Sequence, residues 1–392
     1  MVVILKYYVF YTLELLFIIF ALMINRVLHQ NILEDWDKKK AIVLLGPRQV
    51  GKTTLIQNLV EGKKVLFLNG DDPQTRLQFS NANFTFLKNT VADYDVIVID
   101  EAQRIENIGI TTKMLVDAKL DKQFILTGSS SLDLGNEINE PLTGRKWEHQ
   151  LFPLSWQEVS KHYSFAVAYN RLEEFLIYGL YPEVVTETKK QKILLELAGS
   201  YLYKDILELA TIKKPDLLMK LLNALALQVG SEVSYNELAK ILGVDRATIV
   251  NYIDLLEKVF VIFRLHPYST NQRNEITAKP KIYFYDNGIR NAIIGQFNPL
   301  QNRQDIGALF ENFFISERIK KLSYAGFYGK THYWRNTQKA EIDFLEILEN
   351  EITAYEIKYN PKKQVRFTKS FTEHYQPKET IVIHSGNFWD YL

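Results

Sequence analysis

Short runs rich in apolar residues alternate with amphipathic stretches over the first 165 residues. The runs predict strands at residues 41–45, 65–68, 96–100, 123–127 and 148–152. A strand buried on both faces is apolar throughout, and the stretches between these runs have helical periodicity. The pattern therefore predicts a parallel sheet with helical crossovers, and we expect residues 25–165 to form one α/β unit.

The rest of the chain falls into three segments with different patterns of apolar and polar residues. Residues 166–212 have helical spacing broken at 178–182, which indicates a helical lid over a ligand or, equally, a packed spacer. Residues 213–295 predict three helices followed by two strands, the order of a winged helix. Residues 300–392 predict a long helix followed by amphipathic strands.

The third helix of the winged-helix segment has a mixed surface. Its polar side chains that could reach a nucleic-acid groove are Arg246, Thr248, Asn251 and Lys258. Acidic side chains at Asp245, Asp254 and Glu257 oppose contact with phosphates, which DNA-binding helices usually neutralise. A polar loop at residues 271–274 would form the tip of the wing. DNA binding and a purely architectural or protein-binding role both remain open for this segment.

Residues 1–24 are almost wholly apolar, with Lys6 and Glu14 as the only charged residues. The length suits a membrane span, although a charge at mid-segment costs about 3 kcal/mol on insertion scales. The other interpretation, which we favour, is that translation begins at Met23. The expected location is then cytoplasmic, and membrane tethering is expected only if residues 1–22 are translated.

The composition of the chain excludes several classes of functional site. The chain has 392 residues, which is too long for one ordinary core, and its formal net charge of +1 indicates no global preference for nucleic acid. The absence of cysteine excludes disulfides, thiolate metal sites and cysteine nucleophiles. The seven histidines show no metal-binding spacing.

The turn after the first predicted strand matches the Walker A pattern G-x-x-x-x-G-K-[ST]. A glycine-rich turn between a strand and a helix directs backbone N–H groups at phosphates. Lys52 would reach the outer phosphates, and the Thr53 hydroxyl would ligate Mg²⁺. The predicted ATP-binding residues are Gly46, Pro47, Arg48, Gln49, Val50, Gly51, Lys52, Thr53 and Thr54.

The third predicted strand ends in Asp100 and Glu101, which is the Walker B pattern. Asp100 would hold the Mg²⁺ ion, and Glu101 would polarise the attacking water. The fourth strand ends near Ser129, whose hydroxyl would contact the γ-phosphate, although a plain turn also explains this residue. Arg145 is a candidate arginine finger, either within one chain or toward a neighbour, although solvated loop arginines are more common.

Acidic residues and a lysine recur in the carboxy-terminal strands. Asp343 and the E-x-K pair of Glu356 and Lys358 follow the spacing of restriction-type nucleases, with Glu311 as a supporting helix acid. Two such carboxylates would hold a second divalent metal. Alternation places Glu341 and Asp343 on one face of their strand, with Ile342 and Phe344 on the other. Solvated amphipathic strands are the simpler interpretation of the same pattern.

The motifs in combination resemble archaeal and bacterial AAA+-type ATPases that carry a carboxy-terminal domain of unknown function. The resemblance rests on residues 46–54, 100–103, 126–130 and 142–145, and it extends from about Met23 to the end of the chain. It implies an α/β P-loop NTPase core of AAA+ type, a winged helix and a restriction-endonuclease-like domain. We expect an ATPase that uses ATP and Mg²⁺ and acts on DNA. The alternative is a regulatory switch that binds a protein partner or a second copy of the chain.

Overall fold

The computed structural model describes residues 24–36, 39–129, 140–201, 215–269 and 279–392. Most of the apolar amino-terminal segment and the expected wing tip at residues 271–274 lie outside these ranges. Within them, no helix is both long enough and apolar enough to cross a membrane.

The first unit is built on a parallel sheet of five strands in the order β2-β3-β4-β1-β5. The strands are β1 (Ala41–Leu45), β2 (Val65–Asn69), β3 (Val96–Asp100), β4 (Gln123–Gly128) and β5 (Lys146–Gln150). Strands β1 and β4 are buried along their whole length, as a sheet covered on both faces requires. Strand β4 pairs with both the Walker A strand β1 and the Walker B strand β3.

Helices surround this sheet and lead into the middle of the chain. Those of the first unit are α1 (Leu28–Glu34), α2 (Lys52–Leu59), α3 (Pro73–Phe79), α4 (Phe84–Val91) and α5 (Ile108–Asp117). Those that follow are α6 (Trp156–Tyr163), α7 (Phe165–Asn170), α8 (Leu172–Tyr178), α9 (Pro182–Thr186) and α10 (Lys190–Glu196).

The described residues of the middle region form three helices, a two-stranded antiparallel sheet and a further helix. These are α11 (Pro215–Leu227), α12 (Tyr235–Leu242), α13 (Arg246–Lys258), β6 (Ile262–Leu265), β7 (Lys281–Phe284) and α14 (Asn287–Ile293). The side chain of Asn291 donates to the carbonyl oxygens of Leu176 and Ile177 in α8 (3.3 and 2.8 Å). The preceding helices and the middle region are therefore packed together through buried polar contacts.

The last unit is a four-stranded sheet in the order β11-β10-β9-β8, with helices on both faces. Its elements are α15 (Ile306–Tyr324), β8 (Lys330–Arg335), β9 (Glu341–Leu348), β10 (Glu351–Ile357), α16 (Lys369–Tyr375) and β11 (Glu379–Ile383). Residues 266–268 extend this sheet, since the Tyr268 N–H donates to the Tyr333 carbonyl at 2.6 Å. The hairpin of the middle region is thus joined to the edge strand β8.

The alternation expected for β9 is wrong. Ile342 packs in one core cluster with Phe371 of α16, whereas Phe344 packs in another with Phe314 of α15. The cause is an irregularity in the pairing with β8, where His332 lies opposite Leu345 and Trp334 lies opposite Ile342. A step of two residues on β8 therefore opposes a step of three residues on β9. Such a bulge inserts one residue and redirects the side chains beside it. Asp343 lies within this bulged stretch.

Candidate functional site

The predicted phosphate-binding loop connects the carboxyl end of β1 to the start of α2. Gly46 has φ +156° and Gly51 has φ +92°, both outside the range that other L-residues readily adopt. A Cβ atom on Gly46 would lie 2.1 Å from the Leu151 carbonyl oxygen, so no other residue fits without a backbone shift. The loop is therefore held tightly against the segment that follows β5.

Lys52 lies inside this loop. Its ammonium group donates to the carbonyl oxygens of Gly46 (2.7 Å) and Pro47 (3.0 Å), and only 6% of the residue is exposed. Val50 is buried beneath the loop, whereas Thr54 faces outward on α2. The charge is thus placed at the loop, where the outer phosphates of a nucleotide would lie.

The other face of the loop abuts the later helices. Pro47 and Arg48 line a small cavity together with Tyr181, Leu197 and Tyr285. Tyr181 and Leu197 belong to the segment predicted to be either a lid or a packed spacer, so the structure places part of that segment beside the loop. The later part of the predicted lid, residues 202–212, lies outside the described ranges.

Hydroxyl and carboxyl groups meet at the carboxyl edge of the sheet. The Thr53 hydroxyl donates to Asp100 Oδ2 at 3.1 Å, and the Thr127 hydroxyl donates to Asp100 Oδ1. The Thr127 hydroxyl also accepts from the backbone N–H of Glu101 at 3.1 Å. Hydroxyl and carboxylate oxygens are suitable Mg²⁺ ligands, so Thr53 and Asp100 fit a metal that accompanies a triphosphate. Thr127 is a contact that the sequence interpretation missed.

Glu101 and Ser129 are connected through a third side chain. The Gln103 amide nitrogen lies 2.5 Å from Glu101 Oε2 and 3.3 Å from Ser129 Oγ. Glu101 itself is in the left-handed region with φ +48°, a conformation that costs free energy for a residue with a side chain. Gln103 lies two residues after Glu101, but no spacing signal predicted its contact with the end of β4.

Arg145 does not lie near this edge, so the interpretation of an arginine finger acting within one chain is wrong. Its carbonyl oxygen accepts from the N–H of Ala41, the first residue of β1, and its Nε lies 2.5 Å from Asp117 Oδ1. Five residues of strand at about 3.3 Å each separate it from the loop by roughly 16 Å. A residue that precedes a parallel strand lies at the amino edge of the sheet, whereas the phosphate loop follows one. A role toward a neighbouring copy stays a prediction.

A buried arginine supports the loop from behind. Arg26 donates to the carbonyl oxygens of Val50 (2.5 Å) and Phe152 (2.6 Å) and to Glu158 Oε1 (3.0 Å). Burial alone would lower the pKa of the guanidinium, but the charge of Glu158 and the hydrogen bond to it outweigh burial, so the pKa is raised. Arg26 is thus a charged support of the phosphate loop, and the sequence interpretation missed it.

The carboxy-terminal acids form a second site on β9 and β10. Lys358 Nζ lies 2.9 Å from Asp343 Oδ2 and 3.1 Å from Glu356 Oε2, so the predicted acid–acid–lysine group is assembled. Asp343 Oδ2 also accepts from the backbone N–H of Ile357 at 2.7 Å. Burial raises the pKa of the Glu356 carboxyl, and repulsion from the Asp343 charge raises it further.

A lysine of the middle region enters the same cluster. Lys281 of β7 is 2% exposed, and its ammonium lies 3.4 Å from Glu311 Oε1 and 2.5 Å from Glu341 Oε1. Tyr283 donates to Glu311 Oε1 at 2.7 Å, and burial raises the pKa of the Glu311 carboxyl despite the nearby ammonium. Across the described part of the chain, no group of three or more acidic or histidine side chains is arranged to hold a metal ion.

The acids of α13 are engaged within the protein. Arg264 of β6 lies 2.8 Å from Asp254 and also pairs with Glu257. Asp245 accepts from the Thr248 N–H at 2.7 Å and thereby caps the helix. The charges that oppose phosphate contact are therefore partly neutralised in the folded protein.

Comparisons with protein families divide the chain into three matched parts. Residues 38–160 match an AAA domain, residues 169–300 match a domain of unknown function (DUF8612), and residues 306–390 match another (DUF4143). The first match contains the phosphate loop and the Walker B acids, and the third contains Asp343, Glu356 and Lys358. These matches support an AAA-type ATPase with a carboxy-terminal domain of unknown function.

Proteins similar to this chain occur in several different organisms. An uncharacterized protein of Mycobacterium tuberculosis is 28% identical over 324 residues, which is 81% of this chain and 70% of that protein. An uncharacterized protein of Haemophilus influenzae is 24% identical over 386 residues, covering 92% of each chain. Among solved structures, the Walker-type ATPase of Pyrococcus abyssi is similar with a TM-score of 0.51 at 15% identity, covering 69% of this chain and 96% of that one. This last likeness supports a P-loop NTPase fold, and the AAA match supports ATP binding and ATPase activity.

Proposed function

We propose that the protein is a Mg²⁺-dependent ATPase whose nucleotide state controls a DNA-associated carboxy-terminal unit. The observation that carries the first part is the convergence of Thr53, Asp100 and Glu101 at the carboxyl edge of the sheet, beside the loop that holds Lys52. A parallel α/β sheet binds ligands at this edge.

Each residue has a distinct task in this proposal. Lys52 exchanges its contacts with the loop carbonyls for the outer phosphates. Thr53 and Asp100 would hold Mg²⁺, which supplies neutralisation of charge on the β- and γ-phosphates. Glu101 accepts a proton from the attacking water, and the Ser129 hydroxyl donates to the γ-phosphate.

Two variants test the ATPase assignment. Lys52→Ala removes the phosphate contact, so we expect loss of ATP binding in calorimetry. Glu101→Gln keeps the shape of the site but loses the base, so ATP should bind while phosphate release stalls. Lys88→Ala, at an exposed position on α4, is the matched control. Unchanged turnover in both test variants would contradict the assignment.

The DNA-associated part rests on the carboxy-terminal cluster. Asp343 and Glu356 lie on adjacent strands with Lys358 between them, an arrangement suited to activating water at a phosphodiester with a divalent metal. The middle region supports this because α13, the helix that a winged helix would place in a groove, has its acids paired with Arg264.

Labelled duplex DNA incubated with Mg²⁺ or Mn²⁺, with and without ATP, tests this part. Asp343→Ala should stop cleavage, because it removes the carboxylate that both Lys358 and the Ile357 N–H contact. Glu373→Ala, at an exposed position on α16, should cleave like the wild-type chain. Cleavage that survives Asp343→Ala would exclude this site as its source.

One observation favours a second candidate, a nucleotide-dependent switch that binds a protein partner through an inactive nuclease-like domain. Lysine side chains already contact the acids of the cluster, Lys281 at Glu311 and Glu341, and Lys358 at Asp343 and Glu356. Under this alternative the wild-type chain does not cleave DNA, and Asp343→Ala leaves ATP hydrolysis and its response to DNA unchanged.

A further inference from the structure

We infer that Gln103 is a positioning residue for ATP hydrolysis, which ties the carboxylate of Glu101 to the hydroxyl of Ser129. The inference rests on the proposed ATPase function and adds to it a residue that acts through the base and the phosphate contact.

The geometry brings these side chains together from two strands. Glu101 and Gln103 follow β3, and Ser129 follows the neighbouring strand β4, so the link joins two strand ends at the carboxyl edge of the sheet. The Gln103 nitrogen lies 2.5 Å from Glu101 Oε2 and 3.3 Å from Ser129 Oγ. Ser129 is 3% exposed, so its hydroxyl is fixed by the fold rather than mobile in solvent.

The chemistry of an amide suits this position. A carboxylate can only accept hydrogen bonds, and a hydroxyl can accept one while donating its own proton elsewhere. The two N–H groups on the Gln103 nitrogen therefore hold Glu101 and Ser129 together. This leaves the Ser129 proton available for a phosphate oxygen and leaves Glu101 Oε1 available for water.

The other end of the amide is also informative. Gln103 Oε1 is buried and has no hydrogen-bond partner among the described residues. Buried acceptors are nearly always satisfied, so an unpaired one beside a proposed catalytic carboxylate is typical of a functional site rather than of ordinary packing.

The backbone conformation of Glu101 explains why its carboxylate needs the hydrogen bond from Gln103. Its φ of +48° places the carboxylate off a short helical turn at residues 102–104 rather than along the strand. A catalytic group on a turn is less firmly placed than one on a strand. A displacement of about 1 Å in a catalytic group can reduce turnover on the order of 100-fold.

The test compares kcat and KM for ATP in Gln103→Ala and Gln103→Glu, with Gln78→Ala at an exposed position of α3 as the matched control. Both Gln103 variants lose the donor, so we expect kcat to fall roughly 10- to 100-fold while KM changes less than about threefold. ATP binding measured by calorimetry should stay within the same threefold range, which also shows that the variants are folded.

A second arm separates positioning from a merely structural role. Gln103 acts through Glu101, so adding Gln103→Ala to Glu101→Gln should lower turnover by less than about twofold, because groups that act as a unit have non-additive losses. A structural role would instead multiply the two losses and weaken ATP binding.

The outcomes distinguish failure of the role inferred for Gln103 from failure of the proposed ATPase function. If Glu101→Gln stalls turnover while Gln103→Ala hydrolyses ATP within twofold of wild type, the role of Gln103 is overturned and the ATPase assignment stands. Multiplied losses in the double variant also overturn the inference. If the wild-type chain hydrolyses no ATP, the proposed function fails and the inference fails with it.

Discussion

Replacement of Arg26 should destabilise the ATPase unit strongly, although the residue touches no proposed substrate. In Arg26→Met the carbonyl oxygens of Val50 and Phe152 lose their donor in a buried setting. The Glu158 carboxylate, whose side chain is 0% exposed, loses its counter-charge. It keeps the backbone N–H groups of Val27 and Ser155, both at 2.8 Å, which limits the loss.

The magnitude follows from these contacts. An unsatisfied buried carbonyl costs about 1–3 kcal/mol, and breaking a buried ion pair from one side costs about 3–5 kcal/mol. The costs of contacts made by one side chain are not additive, and Glu158 stays partly satisfied, so we expect a total loss of about 3–5 kcal/mol in the free energy of unfolding. For a domain of this size that corresponds to a Tm decrease of roughly 6–20 °C.

Calorimetry or scanning fluorimetry on the full chain measures this decrease. Arg145→Met is the matched control, because Arg145 pairs with Asp117 at a solvent-exposed position, where ion pairs contribute little to stability. The double variant Arg26→Met with Glu158→Gln should recover part of the loss, since no unpaired charge is left. If Arg26→Met lowers Tm no more than Arg145→Met does, the buried pair does not support the loop as argued.

Further predictions concern the loop, the acid stability of α15 and the carboxy-terminal cluster. Gly46→Ala should weaken ATP binding at least tenfold in calorimetry, because its Cβ would lie 2.1 Å from the Leu151 carbonyl oxygen; wild-type affinity would refute this. Burial disfavours the charged form of Asp305, but hydrogen bonds from Arg303 and Arg290 outweigh it and lower its pKa to about 2. This stabilisation is present above the unfolded-state pKa of 3.8 and is lost as pH falls toward 2. In Asp305→Asn, the free energy of unfolding measured with urea should therefore decline less steeply between these pH values. An unchanged slope would show that Asp305 does not cause the decline. Lys281→Met should lower Tm by several degrees, because Glu311 and Glu341 would lose a buried counter-charge, whereas an unchanged Tm would show that the pair is not stabilising.

Much of the first unit follows from local sequence. Strands β1 to β4 are runs rich in apolar residues that can be recognised without knowledge of their neighbours, since strands covered on both faces need no polar alternation. Strand β5 (Lys146–Gln150) is mostly polar and only half-buried, and it begins two residues before the predicted range 148–152. The phosphate loop is equally local, because glycine, lysine and threonine act within one turn between a strand and a helix. For these reasons the positions of β1 to β4, the sheet class and the proposed site residues from Gly46 to Thr54 could be predicted.

Contacts between distant segments were decided by the tertiary structure. Strand order brings Gln103 to Ser129, and the packing of the first helix brings Arg26 to Glu158, yet neither pair has a sequence pattern. A bulge in β9 overrides the alternation that would place Ile342 and Phe344 together. Hydrophobic periodicity specifies which residues are buried, but the partner of a buried polar group depends on how the elements cross in three dimensions. The local sequence therefore determined the elements and the phosphate loop, and only the fold determined which side chains support them.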